Sequence, residues 1–60
     1  MTINDVYKFY GENWANAMRS LEMAGMSYRY WLRIGRIPRQ TEYKIEKATN
    51  GKLKVAKNVG

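Results

Sequence analysis

The sequence predicts a small all-α domain, a bundle of four to five helices. Two observations lead to this prediction: apolar residues recur at helical spacing along most of the chain, and glycines or a proline separate the resulting segments. A chain of 60 residues can bury one hydrophobic core, so residues 1–60 are expected to form a single domain. The C-terminal third also permits a β-hairpin, which would make the fold α+β.

The first helix is predicted over residues 3–10. Thr2 and Asp5 have the spacing of a capping box, with Asp in place of the usual Glu, and Gly11 ends the segment. Between these signals the apolar residues fall at helical spacing: Ile3, Val6, Tyr7 and Tyr10.

The second helix is predicted over residues 13–24, with Asn13 as its cap. Gly25 fits the left-handed conformation that ends many helices. One apolar stripe recurs at positions i, i+3, i+4 and i+7, formed by Trp14, Ala17, Met18 and Leu21.

The third helix is predicted over residues 28–34, capped by Ser27 and closed by Gly35. Only a tight corner separates it from the second helix. Counted from Ser27, Trp31 and Ile34 take the inward positions, and one of Tyr28 and Tyr30 is expected to pack while the other reaches a phosphate or base edge.

The fourth segment supports two interpretations. Pro38 suits the first turn of a helix, and the Glu, Lys and Ala content favours a helix to Ala48, with Leu53 folding back over the Gly51 cap. In that helix Ile45 and Ala48 would share the buried face. Alternation around Asn50-Gly51 equally suits a hairpin. Residues 54–60 are expected to form a flexible tail.

The excess of positive charge lies entirely in the second half of the chain. Residues 1–28 carry two basic and three acidic residues, whereas residues 29–60 carry nine Lys or Arg and two glutamates, for a net charge of +6 overall. This asymmetry points to a polyanionic partner, nucleic acid first and an anionic membrane surface second.

Other classes of function fit poorly. The chain has neither His nor Cys, its carboxylates show no paired spacing, and no Gly-rich phosphate loop follows a strand, so neither an enzyme nor a cofactor, metal or small-molecule site is expected. No apolar run approaches the roughly 20 residues that a membrane span needs. We expect a cytoplasmic protein with no membrane partner.

Two short helices joined at Ala24-Gly25-Met26-Ser27 have the helix-turn-helix pattern. In that pattern the second helix turns one face to the core and the other to the major groove of DNA. Arg29 and Arg33 are i, i+4 neighbours on the outward face, and such a pair of like charges costs a few tenths of a kcal/mol in an isolated helix. The sequence tolerates this repulsion, which favours a functional use of the charges.

The chain resembles the Cro-type repressors of lambdoid phages over roughly residues 3–53. The resemblance is carried by "AGMS", Trp31, "GRIP" and "IEKATNGKL", with the first helix ending in Tyr10-Gly11. It implies a phage or prophage transcriptional repressor that binds operator DNA as a homodimer. Family members end either in further helix or in a β-hairpin. The interval from Ser27 to Gly35 is about three residues shorter than the family pattern, so the turn could instead lie at residues 22–24.

The third helix is therefore expected to enter the major groove. Arg29 and Arg33 are predicted to contact base edges, since Arg pairs bidentately with guanine. Two alternatives remain: an excisionase-like architectural DNA-binding factor, and an antitoxin or other protein–protein module with an acidic partner. The predicted DNA-binding residues are Ser27, Tyr28, Arg29, Leu32, Arg33, Arg36, Arg39 and Lys44.

Overall fold

The computed structural model describes residues 1–56, which contain no strand. The prediction of a small all-α bundle is confirmed, and the hairpin alternative is wrong. Residues 57–60 lie outside the described part of the chain. The four helices are α1 (Ile3–Phe9), α2 (Trp14–Ser20), α3 (Ser27–Ile34) and α4 (Arg39–Ala48).

The predicted caps of α1 and α2 are confirmed. The Asp5 backbone N–H donates to Thr2 Oγ1 at 3.0 Å, and the Thr2 backbone N–H donates to Asp5 Oδ2 at 2.8 Å, which completes the capping box. That backbone N–H lowers the pKa of the Asp5 carboxyl, because it stabilises the charged form. Asn13 Oδ1 accepts from the Asn16 backbone N–H at 3.0 Å.

The end of α2 differs from the prediction. The helix stops at Ser20, and the left-handed residue behind it is Glu22, with φ 55°, rather than Gly25. Leu21 is buried and Met23 packs against the same core, whereas a continued helix would place them about 160° apart around its axis. The chain therefore turns between them, and the connection to α3 is longer than the predicted tight corner.

The starts of α3 and α4 are shifted by one residue from the prediction. Ser27 is the first residue of α3 and not its cap; the cap position is Met26, which makes no side-chain capping hydrogen bond. Pro38 precedes α4 at the cap position. Both shifts leave the two helices in the predicted order and close to the predicted lengths.

Alanine substitutions at Gly35 and Gly25 test which of these two glycines requires a left-handed backbone conformation. Gly35 ends α3 with φ 77°, so Gly35→Ala is expected to cost about 1–2 kcal/mol of unfolding free energy. Gly25 does not have positive φ, and a Cβ there would meet nothing within 4 Å. Gly25→Ala is therefore expected to be neutral or to stabilise by about 0.4–1 kcal/mol. Urea titrations of both variants measure the difference, and a larger loss at Gly25 would contradict the structure.

Each helix contributes at least one fully buried side chain to a single core. As predicted, Trp31 is in this core, with 1% of its surface exposed. The stripe predicted for α2 also faces inward, although Trp14 at its N-terminal end is only half-buried. The buried apolar residues are Val6, Ala17, Met18, Leu21, Trp31, Ile37 and Ile45.

The buried face of α4 is rotated from the predicted one. Ile45 is fully buried as expected, but Ala48 is exposed, and its place is taken by Glu42 and Thr49. The Thr49 hydroxyl donates to the Ile45 carbonyl at 2.9 Å and accepts from the Leu53 backbone N–H at 3.1 Å. Both polar side chains can be buried because neighbouring segments of the chain satisfy their hydrogen bonds.

Residues 53–56 return along α4. Leu53 packs against the core, as predicted. The Met1 ammonium donates to the Lys54 carbonyl at 2.8 Å, and the Val55 backbone N–H donates to Glu46 Oε1 at 2.8 Å. The flexible tail predicted from residue 54 is therefore wrong for residues 54–56, because these hydrogen bonds attach them to the rest of the fold. Its remainder, 57–60, lies outside the described residues.

Candidate nucleic-acid interface

Helix α3 separates its core face from a cationic face. An α-helix advances about 100° per residue, so Arg29 and Arg33 lie about 160° from Trp31 on either side and only about 40° from each other. Both arginines are exposed, whereas Trp31 is buried and Ile34 is half-buried. The two guanidinium groups therefore extend from one stripe on the outer surface of α3, as the sequence predicted.

The two tyrosines of α3 have different surroundings. The ring of Tyr28 stacks on Trp14, with centroids 4.8 Å apart and planes 3° from parallel. Trp14 also makes an edge contact with Trp31 at 6.0 Å. Tyr30, in contrast, is 54% exposed. Tyr28 is thus the tyrosine that packs, and it attaches the start of α3 to the start of α2; Ser27 beside it is half-buried.

Exposed apolar side chains flank the arginine stripe. Leu32 is 54% exposed on one side of the stripe, as the sequence predicted, and Met26 and Tyr30 are exposed on the other. Met26 is not among the predicted site residues, and Tyr30, about 100° from Trp31 around the helix axis, entered the prediction only as the alternative to Tyr28.

The other basic residues predicted to contact DNA lie on two separate parts of the surface. Arg36 and Arg39, both exposed, line one open cleft between the N-terminus and the start of α4. Lys44 is exposed on α4 but lies about 140° from Arg39 around the helix axis. The structure therefore brings Arg36 and Arg39 together and leaves Lys44 on another part of the surface.

The two acidic residues of the second half are turned towards the backbone. Glu42 is only 7% exposed, and its Oε2 lies 3.6 Å from the Met1 ammonium and accepts from the Ala56 backbone N–H at 3.3 Å. Glu46 is half-buried and accepts from Val55. Because they lie at i and i+4, both carboxylates reach the returning C-terminal segment from one side of α4.

The surface of residues 29–56 is cationic as a result. Every Lys and Arg in this range is exposed, and within the described residues none of them forms an ion pair with a carboxylate. These side chains are Arg29, Arg33, Arg36, Arg39, Lys44, Lys47, Lys52 and Lys54.

No family model, curated protein or solved structure matches the chain. Among residues 1–56, none of the helices has the length and apolar character needed to cross a bilayer.

Proposed function

We propose that the chain is a sequence-specific DNA-binding transcriptional repressor of Cro type, encoded by a phage or prophage, that places α3 in the major groove. The observation that supports this most strongly is the cationic surface of residues 29–56. Its two carboxylates are held by backbone groups and the Met1 ammonium, so eight unpaired cations face solvent. A large excess of exposed Lys and Arg in one half of a small chain is typical of nucleic-acid binding.

The roles of the residues follow from their positions. Arg29 and Arg33 contact base edges, because they lie on the face of α3 opposite the core. Arg36, Arg39 and Lys44 contact phosphates, which orient the domain without reading sequence. Tyr30, rather than Tyr28, contacts a base or phosphate, because the Tyr28 ring is stacked on Trp14.

One domain of this size covers only one half-site. Affinity and specificity then come from two copies on a pseudo-palindromic operator, with half-site centres about one helical turn, roughly 34–36 Å, apart. Dimer formation on DNA also adds buried surface to a chain whose own core is small.

The alternatives are less well supported. An excisionase-like factor normally places a wing hairpin after its recognition helix, and in this chain α4 occupies that position. A protein–protein module that uses the cationic surface on an acidic partner would also explain the charge. Such a module would not require two arginines at i, i+4 on the face of α3 opposite the core.

The salt dependence of duplex binding tests the proposal. If a dimer neutralises roughly eight phosphates, the logarithm of the binding constant should fall with the logarithm of salt concentration with a slope near −7, at about −0.9 per phosphate. Fluorescence anisotropy with a labelled duplex at several salt concentrations measures this slope. A slope shallower than about −2, or tighter binding to a polyglutamate of equal charge, would contradict the DNA-binding proposal.

A further inference from the structure

Leu32 is an exposed apolar side chain beside Arg29 on the outer surface of α3. The two residues are i, i+3 neighbours, which places their Cβ atoms about 5–6 Å apart and separates them by about 60° around the helix axis. Leu32 is 54% exposed and belongs neither to the core nor to the side chains packed against it. Folding alone therefore gives no reason for a leucine at this position.

From this placement we infer that Leu32 contacts the C5-methyl group of a thymine in the bound DNA. The inference rests on the proposed function. In the major groove the base edges present hydrogen-bond donors and acceptors, and the thymine methyl is the apolar group among them. A leucine carried into the groove beside an arginine can bury its side chain against that methyl, and removing both apolar surfaces from water favours binding.

The position of Leu32 also limits where the thymine lies. Arg29 pairs with a guanine, and the 5–6 Å between the two Cβ atoms corresponds to fewer than two base-pair steps of about 3.4 Å. The thymine is therefore expected close to the guanine read by Arg29, in the same half-site.

Duplex DNA fits this surface better than a second copy of the chain. Two α3 helices packed face to face would bring Arg29 and Arg33 of one copy against the same residues of the other, without any carboxylate on that face to compensate. Like charges juxtaposed across an interface cost several kcal/mol. Phosphates along the groove supply the opposite charge that the arginines require.

The test begins with selection of tight-binding sequences from a random duplex pool by the full chain. In the selected duplex, each thymine near the guanine is then replaced singly by deoxyuridine, which removes only the methyl group. At one position the replacement should weaken binding about fourfold, the equivalent of roughly 0.8 kcal/mol for one buried methyl. The Leu32→Ala variant should bind the thymine and uracil duplexes equally.

Tyr43→Ala is the matched control, because Tyr43 is equally exposed, at 56%, but lies on α4. This variant should keep the fourfold preference for thymine. If the chain selects a sequence but uracil has no effect, or if the effect survives in Leu32→Ala, the thymine contact is wrong and the DNA-binding proposal stands. If no sequence is selected and the salt slope is shallow, both proposals fail.

Discussion

Trp31→Ala is expected to leave most of the chain unfolded at room temperature. Trp31 is the largest fully buried side chain, and truncation of a buried Trp typically costs about 3–5 kcal/mol. In a chain below about 70–80 residues, a single hydrophobic core rarely supplies more than about 3–5 kcal/mol. The loss is therefore comparable to the whole free energy of unfolding. Far-UV circular dichroism and a urea titration measure the effect.

Leu32→Ala is the control for this experiment, because Leu32 is the next residue on the same helix but is 54% exposed. Its unfolding free energy should stay within about 0.5 kcal/mol of the parent chain. If Trp31→Ala keeps the helix content and the urea midpoint of the parent, Trp31 does not hold the core together. The orientation of α3 would then have to be revised.

Arg33→Ala is expected to weaken binding to the selected operator by about 1–3 kcal/mol and to relax the preference at one base pair. Arg29→Ala should do the same at a neighbouring base pair. Both side chains lie on the face of α3 opposite Trp31, where a helix in the major groove meets base edges. Anisotropy titrations against the operator and its single-base variants measure the cost and the change in preference.

Arg39→Ala provides the contrast, since Arg39 lies in the cleft beside Arg36 and is assigned to a phosphate. It should weaken all duplexes about equally and reduce the salt slope by about 1. Lys52→Ala, in an exposed turn residue that has no assigned contact, controls for the loss of one charge. The assignment is overturned if Arg39→Ala changes the sequence preference while Arg33→Ala does not.

Local signals predicted most of the secondary structure. The capping box at Thr2 and Asp5 and the cap at Asn13 are contacts within three residues, so the sequence could locate the starts of α1 and α2. The helical spacing of apolar residues likewise identified the buried side of α2. Where local signals compete, tertiary contacts decide, and α2 ended at Ser20 because Leu21 and Met23 share one core.

The candidate site was predictable only in part. Helical spacing from a buried Trp31 suffices to place Arg29 and Arg33 on the outer surface. It does not distinguish Tyr28 from Tyr30, because both lie beside the boundary between the two faces. Stacking on Trp14, a residue of another helix, selects Tyr28 for packing and leaves Tyr30 exposed.

The sequence by itself determined the first three helices and the concentration of positive charge in the second half, because these follow from composition and from contacts between near neighbours. It left the fourth segment open between a helix and a hairpin. Only the tertiary structure decided where the acidic side chains of the second half are directed. Glu42 and Glu46 look like ordinary surface residues in the sequence, yet they turn towards a segment nine to fourteen residues further along the chain. Their backbone partners come within reach only when residues 53–56 have returned along α4. Because both carboxylates then turn towards this segment, the charged groups exposed on residues 29–56 are those of Lys and Arg.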